Sequence, residues 1–168
     1  MTQTIDGYSL LAFLPFVLIA PALGLLLSRK VERPWWLLTF TIASIGAILA
    51  VTIGGRMLKL TNWGRSDVVL SWLFDGASWR HVLEPDRTWA LNALLFVPAG
   101  YLLTATVRRA WITVVSMTIL SLLIEVAQRA TRLGVADVSD LVANIIGAVA
   151  GSAIAIATHL GSRSQTNR

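Results

Sequence analysis

Five uninterrupted apolar runs, residues 8–28, 35–53, 88–107, 110–127 and 138–158, each reach the roughly 20 residues a helix needs to cross the hydrocarbon core of a bilayer. Lipid offers the backbone no hydrogen-bond partner, so a spanning segment must satisfy its amides internally, as a helix or a closed barrel. The runs are continuous and do not alternate, which points to helices. The expected fold is therefore all-α, a polytopic membrane protein whose 168 residues form a single domain, a five-helix transmembrane bundle with one longer extracytoplasmic loop at residues 54–87. Composition agrees, with 55% hydrophobic and 14% charged residues.

Residue usage excludes several functions. There is no cysteine, so disulfides, thiolate catalysis and sulfur-ligated metals are ruled out. The first run is preceded by Met-Thr-Gln-Thr-Ile-Asp without Lys or Arg, the wrong flank for a cleaved signal peptide, and is expected to stay as a helix. The formal charge of +5 is spread over loop ends beside anionic lipid, with no basic run to suit nucleic acid. Membrane lipids are the expected surroundings.

Sidedness follows from Lys and Arg in short loops next to the membrane. Arg29, Lys30 and Arg33 follow the first run, Arg108 and Arg109 follow the third, and Arg163 and Arg168 lie in the C-terminal tail. These are expected on the cytoplasmic side, with the N-terminus, the 54–87 loop and the turn at 128–137 outside. Arg56, Lys59, Arg65, Arg80, Arg87, Arg129 and Arg132 equal them in number outside, so the short-loop weighting decides.

Polar residues single out three of the five runs. The third has Asn92 near its start, the fourth ends on Glu125 and Gln128, and the fifth begins with Asp137 and Asp140. All three polar ends fall at one depth, on the outer side. Glu125, Gln128, Arg129 and Arg132 stand three, four and seven residues apart, so a carboxylate, an amide and guanidinium groups can share a helix face. Asp137, Asp140, Asn144, Gly147 and Gly151 form one continuous stripe on the last helix. Asp137 suits an N-cap and Asp140 complements the helix dipole, but Asn144 lies beyond the cap and either cross-links helices or reads a ligand. Gly147 and Gly151 are a small-xxx-small pair that admits a close neighbour, expected within the chain. Helix two reads as scaffold. In the 54–87 loop, Trp63, Trp72 and Trp79 among charged residues give an interfacial composition; residues 67–74 are too short to span and suit a strip on the outer membrane surface or a short re-entrant piece, and a ligand-covering cap or a passive linker fits the same composition.

No zinc-binding histidine pair, phosphate-binding glycine loop or nucleophile elbow is present, and His81 and His159 are isolated. No cofactor is expected; a metal, if bound, would be Mg²⁺ or Ca²⁺ on Glu125, Asp137 and Asp140.

Three segments together resemble the VanZ-like membrane proteins: Leu91-Asn-Ala-Leu-Leu-Phe-Val-Pro-Ala-Gly-Tyr-Leu-Leu103, Ser121-Leu-Leu-Ile-Glu-Val-Ala-Gln128, and Ala136-Asp-Val-Ser-Asp-Leu-Val-Ala-Asn-Ile-Ile-Gly147. The matching positions are Asn92, Phe96, Pro98, Gly100, Ser121, Glu125, Gln128, Asp137, Asp140, Asn144 and Gly147. The family usually has an arginine three residues before the first aspartate, where this chain has Gly134; Arg132 or Arg129 would take its place. The resemblance implies a bacterial envelope protein related to a factor for low-level resistance to the glycopeptide antibiotic teicoplanin.

Three functions follow. The first is binding of a lipid-linked cell-wall intermediate, or of a glycopeptide, at an outer-leaflet pocket formed by Asn92, Glu125, Gln128, Arg129, Arg132, Asp140 and Asn144. The second is a membrane-embedded hydrolase or transferase using Glu125 with Asp137 or Asp140. The third is a non-catalytic scaffold whose polar stripe joins helices. A transporter is disfavoured, because the chain shows no internal repeat.

Overall fold

The computed structural model describes residues 7–54, 70–74, 76–83, 86–130 and 137–166. Among them are α1 (Gly7–Val31), α2 (Trp35–Leu49), α3 (Gly76–Leu83), α4 (Arg87–Val107), α5 (Ala110–Ala130) and α6 (Val138–Thr166), and no strand. A π-helical turn, Ala50–Gly54, continues α2, and a 3₁₀ turn, Leu70–Phe74, precedes α3. Five helices among the described residues are long and apolar enough to span a membrane, at Leu10–Val31, Trp35–Ile53, Arg87–Val107, Ala110–Ala130 and Val138–His159. The chain is a multi-pass all-α membrane protein. Large apolar side chains such as Leu10, Leu18, Phe40, Leu94, Ile119 and Leu123 face outward, as acyl chains require.

Three helices run past the ends read from the sequence, α1 to Val31, α5 to Ala130 and α6 to Thr166, and the second of these bears on the polar residues. The fourth span runs on to Ala130, so Gln128 and Arg129 belong to the helix and not to the turn. A hydropathy window stops at the first polar residues, whereas the helix continues because Gln128 is buried and bonded.

Termini and turns fix the topology. Asp86 caps α4, its carboxylate accepting from the backbone N–H of Trp89 at 2.8 Å. Arg108 closes α4 in the left-handed region, φ 59°, its N–H donating to the carbonyl of Thr104 at 2.7 Å. Two residues then suffice to reverse the chain into α5. The turn from α1 to α2 is similarly tight, with Glu32 at φ 51° before Pro34. A bond of 3.1 Å between the hydroxyls of Thr41, near the start of α2, and Thr106, near the end of α4, puts these two basic turns at the same end of the bundle.

The tightest packing joins α4 and α6. Here glycine is required, since a β-carbon on Gly147 would strike the carbonyl oxygen of Ala93, one on Gly151 that of Val97, and one on Gly100 the backbone of Ala148. The two helices are parallel and in register, since Asn92 bonds to Asp140 and Thr104 to Ser152, both pairs 48 residues apart in sequence. Twelve residues separate the two bonds on each helix, about 18 Å at 1.5 Å per residue. α5 packs antiparallel on α6. The core is built by Ile48 of α2, Phe96 and Ala99 of α4, Met117 and Ile124 of α5 and Ala148 of α6. α1 packs on α2 at the edge and stays one unbroken helix through Pro15 and Pro21.

Candidate functional site

The start of α4, the end of α5 and the start of α6 meet at the end of the bundle opposite the two tight basic turns. Glu125 is only 2% exposed, and its Oε2 accepts from the backbone N–H of Asp137 at 3.1 Å. Asp137 is the N-cap of α6: its Oδ1 accepts from the N–H of Ser139 at 2.9 Å, and its carbonyl accepts from Leu141 at 3.3 Å. In a capping box the third helical residue reaches back to the cap amide. Here that residue is Asp140, which turns to α4 instead and accepts from Asn92 Nδ2 at 2.7 Å. Glu125 supplies the missing acceptor from the neighbouring helix, tying α5 to the N-cap of α6.

Gln128 closes the cluster on a side that the sequence did not reveal. Its Nε2 donates to the carbonyl of Thr52 at 3.0 Å, inside the π-helical turn that ends α2. A π turn shifts backbone hydrogen bonds out of the α-helical pattern. The receiving group is a main-chain carbonyl, so no side-chain motif announces it, and α2 belongs to this end as well as to the scaffold.

One turn deeper, Asn144 of α6 donates through Nδ2 to Ser121 Oγ of α5 at 2.8 Å. Asn144 is 3% exposed, and its Oδ1 is buried without a hydrogen-bond partner. The indole N–H of Trp89, in the first turn of α4, is also buried without a partner. A donor and an acceptor at this end are thus left unmet. Arg129 is half-buried in the last turn of α5, while Arg132 lies outside the described residues.

All three carboxylates considered for chemistry, Glu125, Asp137 and Asp140, therefore place an oxygen in a bond that shapes the fold. Among the described residues no three acidic or histidine side chains converge as a metal site would need. Glu125, Asp137 and Asp140 are not brought together as a hard-cation cage.

Polar contacts also reach the far end, through Thr104 with Ser152 and Thr41 with Thr106. Sequence reading passed over them because Thr and Ser in a spanning helix usually bond their own backbone. Thr41 and Thr106 also stand 2.8 Å from the carbonyls of Leu37 and Leu102; with one proton per hydroxyl, one of the two donates to the other and the second to its own backbone.

The VanZ/LLP1 family model matches residues 61–159, more than half of the chain. The chain belongs to the VanZ/LLP1 family. That match covers α3, α4, α5 and most of α6, and with them every polar side chain of the cluster. α1 and α2 lie before it, although α2 lends the VanZ/LLP1 segment the Thr52 carbonyl. No curated protein and no solved structure matches the chain.

Proposed function

We propose that this VanZ/LLP1-family protein lies in a bacterial plasma membrane with its N-terminus outside, and binds a lipid-linked cell-wall intermediate or a related envelope ligand at the polar end of α4, α5 and α6. Asn144 and Trp89 meet hydroxyl or amide groups of the ligand, while Arg129 and Arg132 hold its phosphate or carboxylate. Glu125 and Asp140 fix the arginines and the helix ends. A contribution to teicoplanin-type resistance would be a consequence of holding that ligand.

The observation that carries this reading is the buried, unpartnered amide oxygen of Asn144. Side chains kept only to join helices satisfy one another, because a buried polar atom without a partner costs about 1–3 kcal/mol. The scaffold reading remains the second, supported by Asn92 with Asp140 and Asn144 with Ser121, which join α4, α5 and α6.

Titration of purified protein in nanodiscs with a lipid-linked cell-wall precursor tests the choice. Asn144→Leu and Glu125→Gln should each weaken binding about tenfold, the equivalent of roughly 1.4 kcal/mol. Folded variants that bind as the wild type does would leave the scaffold reading standing.

A further inference from the structure

The segment before α4 carries a second interface, independent of the ligand reading. Trp72, in the 3₁₀ turn, is 5% exposed and forms a small buried cluster with Val138, against which Leu73, Val82, Leu122, Leu141 and Val142 pack. Leu122 lies two turns inside the end of α5, and Leu141 and Val142 one turn inside the start of α6. The 3₁₀ turn is therefore held beside the apolar part of the spans, not above their ends. Two residues after Trp72, Phe74 is 85% exposed. Trp79 of α3 is about half exposed, and its Nε1 donates to the carbonyl of Leu73 at 2.9 Å, which fixes the ring beside the turn. The next residue, Arg80, is exposed.

An exposed apolar ring, a half-exposed indole and an exposed guanidinium in that order match the gradient from acyl chain through headgroup to phosphate. We infer that the 3₁₀ turn Leu70–Phe74 and α3 form a membrane-docked strap, with Phe74 inserted among the acyl chains, Trp79 at the headgroup level and Arg80 on lipid phosphate. Trp72 clamps this strap to α5 and α6 through Val138, Leu122, Leu141 and Val142.

The absence of cysteine makes the test direct. Phe74→Cys protein carrying a nitroxide label is placed in nanodiscs of phosphatidylethanolamine and phosphatidylglycerol, and collision rates with oxygen and with a water-soluble nickel chelate are compared. Leu123→Cys, on an exposed apolar position within α5, is the lipid reference, and Arg109→Cys, in the exposed α4 to α5 turn, the aqueous one. The oxygen-to-chelate ratio at position 74 should exceed that at 109 several-fold and approach that at 123. A ratio equal to that at 109 would put the residue in water, and a label shielded from both reagents would put it against protein, as in a second copy; either result overturns the assignment.

Discussion

Asn92 donates to Asp140 across 2.7 Å, so the α4 to α6 seam begins with a side-chain hydrogen bond at the end where both helices start. Among the described residues, the same seam carries the closest glycine packing, at Gly147 and Gly151. Polar pairing sets the register of the two helices, and small residues set their separation.

Breaking the pair on one side should cost more than removing it whole. Asn92→Leu leaves the half-buried Asp140 carboxylate short of a donor and should lower stability by about 1–3 kcal/mol. Asn92→Leu with Asp140→Leu should cost less than the sum of the single changes, with a coupling of roughly 0.5–2 kcal/mol. Thermal unfolding in detergent of the four proteins of the cycle measures this, and strict additivity would mean that the pair does not couple the helices.

Substitution of Gly147 separates close packing from lipid exposure. Gly147→Val must displace the carbonyl of Ala93 and should cost 1–3 kcal/mol or about that, or abolish folded yield. Gly76→Ala meets nothing within 4 Å and should be neutral or up to about 1 kcal/mol stabilising. Yield and melting temperature report both; equal tolerance at the two positions would contradict the close crossing of α4 and α6.

The spans, and the stripe from Asp137 to Gly151, were legible because hydropathy and helical spacing are local properties. So was the meeting of Asn92, Glu125 and Asp140 at one depth, which span boundaries alone dictate. The partner of each was not legible. Besides lying in the first turn of α6, Asp140 accepts from Asn92, and Glu125 accepts from a main-chain amide, two partners that helical spacing does not name. The Thr52 carbonyl and the burial of Trp72 depend on which faces meet in space, and no periodicity encodes that. Asn144 offered two readings; its Nδ2 joins α6 to Ser121 of α5, and its Oδ1 is buried without a hydrogen-bond partner.

Gln128 offers a test of the contact with α2. Gln128→Leu removes the donor to the Thr52 carbonyl and should destabilise by about 1 kcal/mol, while Gln128→Glu sets an acceptor against an acceptor and should cost more. Melting temperatures in that order, wild type above Leu above Glu, are expected. If the Glu variant matches the wild type, the bond does not hold the π turn to α5.

Glu125→Gln and Glu125→Ala should separate structure from charge. Gln keeps an oxygen for the Asp137 amide and should fold with a loss of about 1 kcal/mol or less. Ala removes that acceptor and opens a void behind a 2% exposed side chain, for a loss of roughly 2–4 kcal/mol. Thermal unfolding again decides, and equal losses would show that the Asp137 amide does not need this partner.

The isosteric variant also gives the most direct test of the functional proposal. Wild-type and Glu125→Gln protein are extracted gently from their own membrane and weighed intact by native mass spectrometry. The proposal predicts a retained mass on the wild type, of a size fitting a lipid-linked envelope molecule, that is lost or much reduced on the folded Gln variant. Wild-type protein carrying no such mass, or carrying it equally in both, would contradict a ligand site at the polar end of α4, α5 and α6.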